Sequence, residues 1–459
     1  MCYLETNIDK AEAYTYLDFA EKNGYKEAEI HFDLGEALMH AEKFDEAIAK
    51  FYQYKSLEKS ALATTEADRF ISYCNNAKLL KSKPLKVEIE NLGDKVNSPK
   101  SDICPFTDYS ETTVLFTSNS RFIKEFGEFV NDVITTEFKF GKWRRGKSLS
   151  SQINTAVDHE FLVGSSPNLT AVVIRPESYT YSGDLLISYL DKKRYGALSN
   201  PGLDINDKKS IESSGCLSDS GDTLYFSSDR LGGFGGFDLY YSLKIGDGWG
   251  IPQNLGTKIN TPFDEEFPNI SQNGKLLYFA SNGPSSMGGH DIFVSSLNPS
   301  SKEWENPKNF GYPINTTYDD FNITLTDNGR YGYVSQVKKD GVGEYDVYKV
   351  TFVDKEPYYV TYTGKVAVGD TASSTPICSI TKEISIKVTQ ADNKLFGEYK
   401  LNSNCRYAIS LPPGDYEMKI IAEDYPEFVN KISIPEIKPA IPVVLFDVYL
   451  NKNAAPIKK

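Results

Sequence analysis

The spacing of apolar residues changes character twice along the chain. Up to residue 84 it is helical: residues 27–40 and 44–54 each place apolar side chains at i, i+3 and i+4, the pattern of one buried helix face. A third helix is expected over 64–82, ended by Pro84. Leu34, Gly35, Leu38, Ala47 and Phe51 fit a helix–turn–helix unit, with Gly35 and Ala47 small enough to let two antiparallel helices approach. A shift of 34 residues toward the N-terminus lands on Leu4, Ala13 and Leu17, so the chain is expected to open inside an earlier, truncated unit.

From 85 to 354 the period falls to two and the sequence repeats. Leu224-Tyr225-Phe226-Ser227-Ser228 returns as Leu277-Tyr278-Phe279-Ala280-Ser281, and Asp238-Leu239-Tyr240 returns as Asp291-Ile292-Phe293 and Asp346-Val347-Tyr348. Trp143, Trp249 and Trp304 hold one place in their copies. Asn97, Asn154, Asn206, Asn260 and Asn315 each follow Ile or Val and lie 57, 52, 54 and 55 residues apart. A period near 54 with about four short strands per copy predicts a five-bladed β-propeller. In the fourth copy the strands are expected at 267–271, 276–281, 291–296 and 304–309, with Asn273-Gly274 as a tight turn whose two central residues have positive φ. The last copy lacks an outer strand of its own, whereas 86–92 is an outer strand with no copy before it. Pairing the two removes two exposed sheet edges, so 86–92 is expected to close the ring.

Residues 355–450 carry about seven strand-like runs, including 360–368, 383–388, 406–411, 415–422 and 443–450, which predicts an antiparallel β-sandwich. Pro412-Pro413-Gly414-Asp415 reads as a type II hairpin turn, and 451–459 as a flexible tail. The fold class is therefore multidomain and mainly β, with helices at the N-terminus.

The chain has 459 residues, a net charge of −13, 30 Tyr and 26 Phe. The aromatic content suits pleated, half-buried surfaces. An acidic protein repels phosphate backbones, so nucleic acid is not an expected partner. The chain has no apolar run long enough to span a membrane, and no direct membrane insertion or leading signal segment is expected. The six cysteines form no Cys-x-x-Cys pair, so no zinc site is expected. Cys378 and Cys405 fall in one region, and pairing or freedom are both open for them. Cys2 has no lipobox before it and is not expected to carry lipid.

These modules, in this order, resemble a family of bacterial envelope proteins. The helix–turn–helix unit is similar to tetratricopeptide repeats. The Leu-Tyr-Phe-(Ser/Ala)-Ser and Gly-Gly-x-Asp-(Leu/Ile)-(Tyr/Phe) runs resemble WD-repeat-like, TolB-type blades, and the run through Leu-Pro-Pro-Gly-Asp-Tyr resembles a carboxypeptidase regulatory-like domain. The combination resembles the PorE-like, OmpA-family proteins of type IX secretion systems, without their C-terminal OmpA-like domain. The resemblance implies a periplasmic, outer-membrane-associated location. It also implies outer-membrane-associated secretion components as partners, with peptidoglycan contacted only through the domain absent here.

The candidate chemistry is sparse. His31, His40, His159 and His290 have no second ligand at metal spacing, and no nucleophile motif is present, so no catalytic residue, cofactor or metal is expected. Gly232–Gly236 precedes a strand rather than a helix, which speaks against a phosphate loop. Asp238, Asp291 and Asp346 are expected to cap backbone amides in the turns before them. The acidic runs at 158–160, 264–266 and 319–320 are expected as recurrent structural turns at one mouth of the channel, with Ca²⁺ as the alternative. Tyr14, Asp33 and Tyr54 are the expected protein-binding residues of the helical groove. Trp249 and Trp304 are expected to pack between blades, and serve as sugar-stacking candidates in an alternative reading as an envelope glycan-binding module. The reading is an adaptor without enzymatic activity.

Overall fold

In the computed structural model the described residues are 3–6, 9–108, 111–139, 142–178, 183–271, 273–326, 329–355, 357–381, 383–434 and 442–452. Cys2 and most of the tail lie outside them. The chain forms two compact units, Met1–Asp354 and Lys355–Lys459.

The first unit opens with α1 (Ala13–Lys22), α2 (Glu29–His40), α3 (Phe44–Leu57) and α4 (Ala61–Lys81). A Cβ on Gly35 would sit 2.6 Å from the Phe51 ring, so α2 and α3 approach at a distance only glycine allows. The last helix starts before the expected residue 64 because the Ser60 hydroxyl accepts the Ala63 amide and caps it there.

Among the described residues, five antiparallel sheets follow. Their first strands are Asp102–Thr107, His159–Ser165, Glu212–Leu217, Glu265–Ile270 and Thr324–Leu325. The fifth sheet takes its outermost strand from before the other four: Val87–Asn91 pairs antiparallel with Tyr345–Phe352, from Val87 opposite Phe352 to Asn91 opposite Tyr348. Apolar cores lie between consecutive sheets. One joins Leu115 of the first to Leu162 of the second, and another joins Val114 and Phe116 of the first to Tyr333 and Val347 of the fifth. The sheets therefore stand in a closed cycle.

The repeated asparagines explain the period. Asn260 accepts the Leu239 amide at 2.8 Å and donates to the Leu239 carbonyl at 2.9 Å, so its side-chain amide pairs with a strand as another backbone would. Asn97, Asn154, Asn206 and Asn315 make the same two bonds to Val347, Val133, Leu185 and Ile292. Each is buried, so each bond satisfies a strand group that water cannot reach.

The turn at Asn273-Gly274 differs from expectation. Gly274 has φ +65° and Asn273 is not among the positive-φ residues, while the Gly274 amide donates to the Ser271 carbonyl. Asn273 is thus not left-handed as the two-residue turn would require. The same loop recurs at Ser218–Gly221 and Ser166–Leu169.

In the second unit, Val360–Gly369 and Arg406–Leu411 belong to one sheet, and Ile384–Gln390, Gly414–Ala422 and Phe428–Ile434 to another. Both contribute to one core, which includes Val366, Ile386, Ile409, Met418 and Ile432. Cys378 and Cys405 form a disulfide. Pro412-Pro413 is not the expected hairpin turn, because the strands on either side lie in different sheets. The final run is split into Val443–Leu445 and Val448–Leu450, which pair parallel, not antiparallel, with Val360–Gly369.

Candidate interaction face

One face of the ring carries the loops that lead into the third strands of the third, fourth and fifth sheets, at Asp238, Asp291 and Asp346. In the third sheet Asp238 accepts the amides of Phe234 and Gly235, at 2.6 and 3.2 Å, and the Asn254 side chain at 2.9 Å. Asp291 takes the Met287 amide and Asn309, and Asp346 takes the amides of Val342 and Gly343 and the side chain of Asn91. Glycines are required because these loops touch their neighbours: a Cβ on Gly235 would lie 2.2 Å from the Phe263 carbonyl, and one on Gly288 would lie 2.5 Å from that of Thr316.

The acidic runs divide their labour by position. Asp264 and Asp319 reach to the preceding loops, accepting the amides of Phe237 and His290 at 3.0 and 2.8 Å. Glu265 and Asp320 turn inward and are held by Thr261 and Thr316; Glu160 and Glu212 hold the equivalent places in the second and third sheets. Burial raises all four, Glu160 and Glu265 to about 7. Glu266 faces His290, whose two ring nitrogens lie 3.2 Å from Glu266 and 3.3 Å from Asp319. Burial opposes charge on this imidazole, but the two carboxylates outweigh it and raise it to about 10, so it stays protonated. No group of three or more His, Cys, Asp or Glu side chains suited to a metal ion occurs among the described residues.

The helices sit on this face. Along α4, Arg69, Tyr73 and Asn76 recur at i, i+4 and i+7. Arg69 lies over the Phe263 ring, the Tyr73 hydroxyl donates to the Asn282 carbonyl, and Asn76 donates to the carbonyls of Pro284 and Ser286. Met287, at the crest of the fourth loop, is 1% exposed and enters the helical core beside Leu38 and Cys74. Tyr318 accepts the Lys10 amide at 3.2 Å and lies 4.6 Å from the His40 ring.

Tyr14 and Tyr54 belong to the same helical core cluster. Tyr54 is buried against Phe32 in the helical core. Asp33 is half-buried, and burial raises its carboxyl. Tyr14 is covered in part by the Lys43 ammonium, 5.4 Å from its ring. Sequence reading missed Met287 and the α4 face; the i, i+4, i+7 spacing of Arg69, Tyr73 and Asn76 was the available signal. Trp304 packs with Cys216 and Phe279 between the third and fourth sheets, and Trp249 against the core between the second and third. Trp304 also borders a cavity of about 510 Å³ with Tyr225, Tyr241, Lys258 and Glu303.

No protein family and no curated protein matches the chain. Similar solved structures include the α-L-arabinofuranosidase of Podospora anserina, at 10% identity and TM-score 0.38 over 59% of this chain and 98% of that one. A putative TolB from Agrobacterium tumefaciens matches at 14% identity and TM-score 0.31, over 58% and 97%. The β-propeller domain of Cps50 (Swd1) from Myceliophteria thermophila matches at 10% and 0.29, over 57% and 88%. The first of these is an enzyme, and the expectation that the chain has no enzymatic activity is withdrawn. The closed cycle of antiparallel sheets with cores between them is that of a β-propeller.

Proposed function

We propose that the chain is an adaptor that holds proteins together in an envelope complex. Its cycle of sheets would be a five-bladed propeller closed by Val87–Asn91, and its second unit a β-sandwich. The observation that carries this reading is the division of the helical surface. One side of α4 is fixed to the propeller, while Tyr16 and Phe19 on α1 remain 61% and 69% exposed, with Tyr3 stacked on Tyr16. An exposed aromatic patch on α1, apart from the seated face of α4, suits protein recognition. The Cys378–Cys405 disulfide, with Cys74, Cys104 and Cys216 all buried, supports an oxidising compartment such as the periplasm. No helix among the described residues is long and apolar enough to cross a membrane. Outer-membrane association and a place in type IX secretion or gliding follow from the family resemblance. The test is a pull-down of detergent-solubilised envelope proteins on the full chain and on a Tyr16→Ser/Phe19→Ser variant. Defined outer-membrane proteins captured by the first and lost by the second support the reading; none captured by either overturns it.

A second reading, glycan binding, is favoured by the 510 Å³ cavity with its Trp304, Tyr225 and Tyr241 walls. Titration with soluble glycans, read by tryptophan fluorescence in wild type and Trp304→Phe, checks it.

A further inference from the structure

The loop that seats the helices has a twin. Residues 228–238 of the third sheet match 281–291 of the fourth position for position, 53 residues apart. Phe234 donates its amide to Asp238 as Met287 does to Asp291, at 2.6 and 2.9 Å. Phe237 and His290 donate theirs to Asp264 and Asp319. The carbonyls of Phe237 and His290 receive the amides of Glu265 and Asp320, both at 2.7 Å. The backbone from Met287 to Asp291 is thus built twice, while the turn before it differs, with φ +95° at Gly232 and no positive φ at its counterpart Ser285.

What lies on the two loops is different. Met287 is 1% exposed inside the helical core, and its counterpart Phe234 is 47% exposed. Pro284, whose carbonyl takes Asn76, corresponds to Leu231, which is 95% exposed. Two large apolar side chains therefore stand out on a loop whose copy already receives a helix. The surroundings also differ in charge. Arg69 of α4 rests on Phe263, which lies between Asn260 and Glu265. The corresponding stretch between Asn206 and Glu212 carries exposed Lys208 and Lys209.

We propose that the third loop, through Leu231 and Phe234, docks an amphipathic α-helix of a partner protein. That helix lies as α4 lies on the fourth loop, with an acidic residue where α4 has Arg69. The proposal rests on the adaptor reading and specifies a second contact for it. A second copy of this chain is not the occupant, because its α4 is engaged by its own fourth loop. Continuity with the α4 seat sets the helical form of the partner, and the two lysines set its charge.

The probe is a labelled synthetic peptide with the sequence of Ala61–Lys81, made with Arg69 and with Arg69→Glu, and titrated with the full chain. The Glu peptide is expected to bind saturably and more tightly than the Arg peptide. Phe234→Asp is expected to weaken it by about tenfold or more, and Lys209→Glu to remove its advantage. Phe234 is exposed, so an unchanged thermal melt confirms that its variant folds. No saturable binding up to about 1 mM peptide, or binding indifferent to Phe234→Asp, overturns the proposal. Equal binding of the two peptides overturns the charge assignment. Neither result touches the adaptor reading, whose own test depends on Tyr16 and Phe19 of α1.

Discussion

The two units are held together by different means. The ring of five sheets repeats one polar device, a buried asparagine that bonds to a neighbouring strand, and adds buried carboxylates under threonines. The second unit relies on one apolar core shared by two sheets and on a disulfide 27 residues apart in sequence. A polar device needs one residue type at one place, so it leaves a period in the sequence. An apolar core accepts many residues of similar size and leaves only alternation.

That contrast can be broken most severely from the ring side. Asn260→Leu strips partners from the amide and carbonyl of Leu239 in a buried site, and should lower ring stability by about 3–4 kcal/mol. In calorimetry the ring transition should fall while that of Lys355–Lys459 holds. The converse experiment is Cys378→Ser with Cys405→Ser, expected to cost the second unit about 2–4 kcal/mol and leave the ring unmoved. Gly288→Ala places a Cβ against the Thr316 carbonyl and should cost about 2 kcal/mol. It should also loosen the helices, read as faster hydrogen exchange in α4.

A smaller effect sharpens the comparison through pH. Glu160 and Glu265 are raised from 4.5 to about 7 by burial, so the folded ring binds protons more tightly than the unfolded chain. Their contribution is full below about pH 4.5 and lost as pH rises through about 7. His290, raised from 6.5 to about 10, adds a contribution that is lost only above neutrality. The ring should therefore melt at a higher temperature at pH 6 than at pH 8. Glu265→Gln should flatten that difference; a ring that melts higher at pH 8 would contradict the burial argument.

The ring was legible because its asparagines and glycines answer to backbone geometry, which fixes both residue type and spacing. The pairing of 87–91 with the last strand followed from counting outer strands. Pro412-Pro413 was misread because a hairpin and a crossing between sheets use the same turn residues, and only the partners of the flanking strands tell them apart. The burial of Tyr54 was not legible, because a tetratricopeptide-like face does not show which side the next helix covers. Met287 was silent for a related reason. An apolar residue in a glycine-rich loop looks alike in sequence whether it is buried, as here, or exposed, as at Phe234.

The strand Val87–Asn91 also sets a timetable. Its partner ends at Phe352, 265 residues after Val87, so nearly the whole first unit must be present before the fifth sheet can form. Until then the nascent chain carries an unpaired strand at one end and an open sheet edge at the other. Contacts of such long sequence separation form slowly, and open edges invite association with other chains. A holding chaperone in the compartment where the chain folds should therefore help most in the interval before residue 352 arrives.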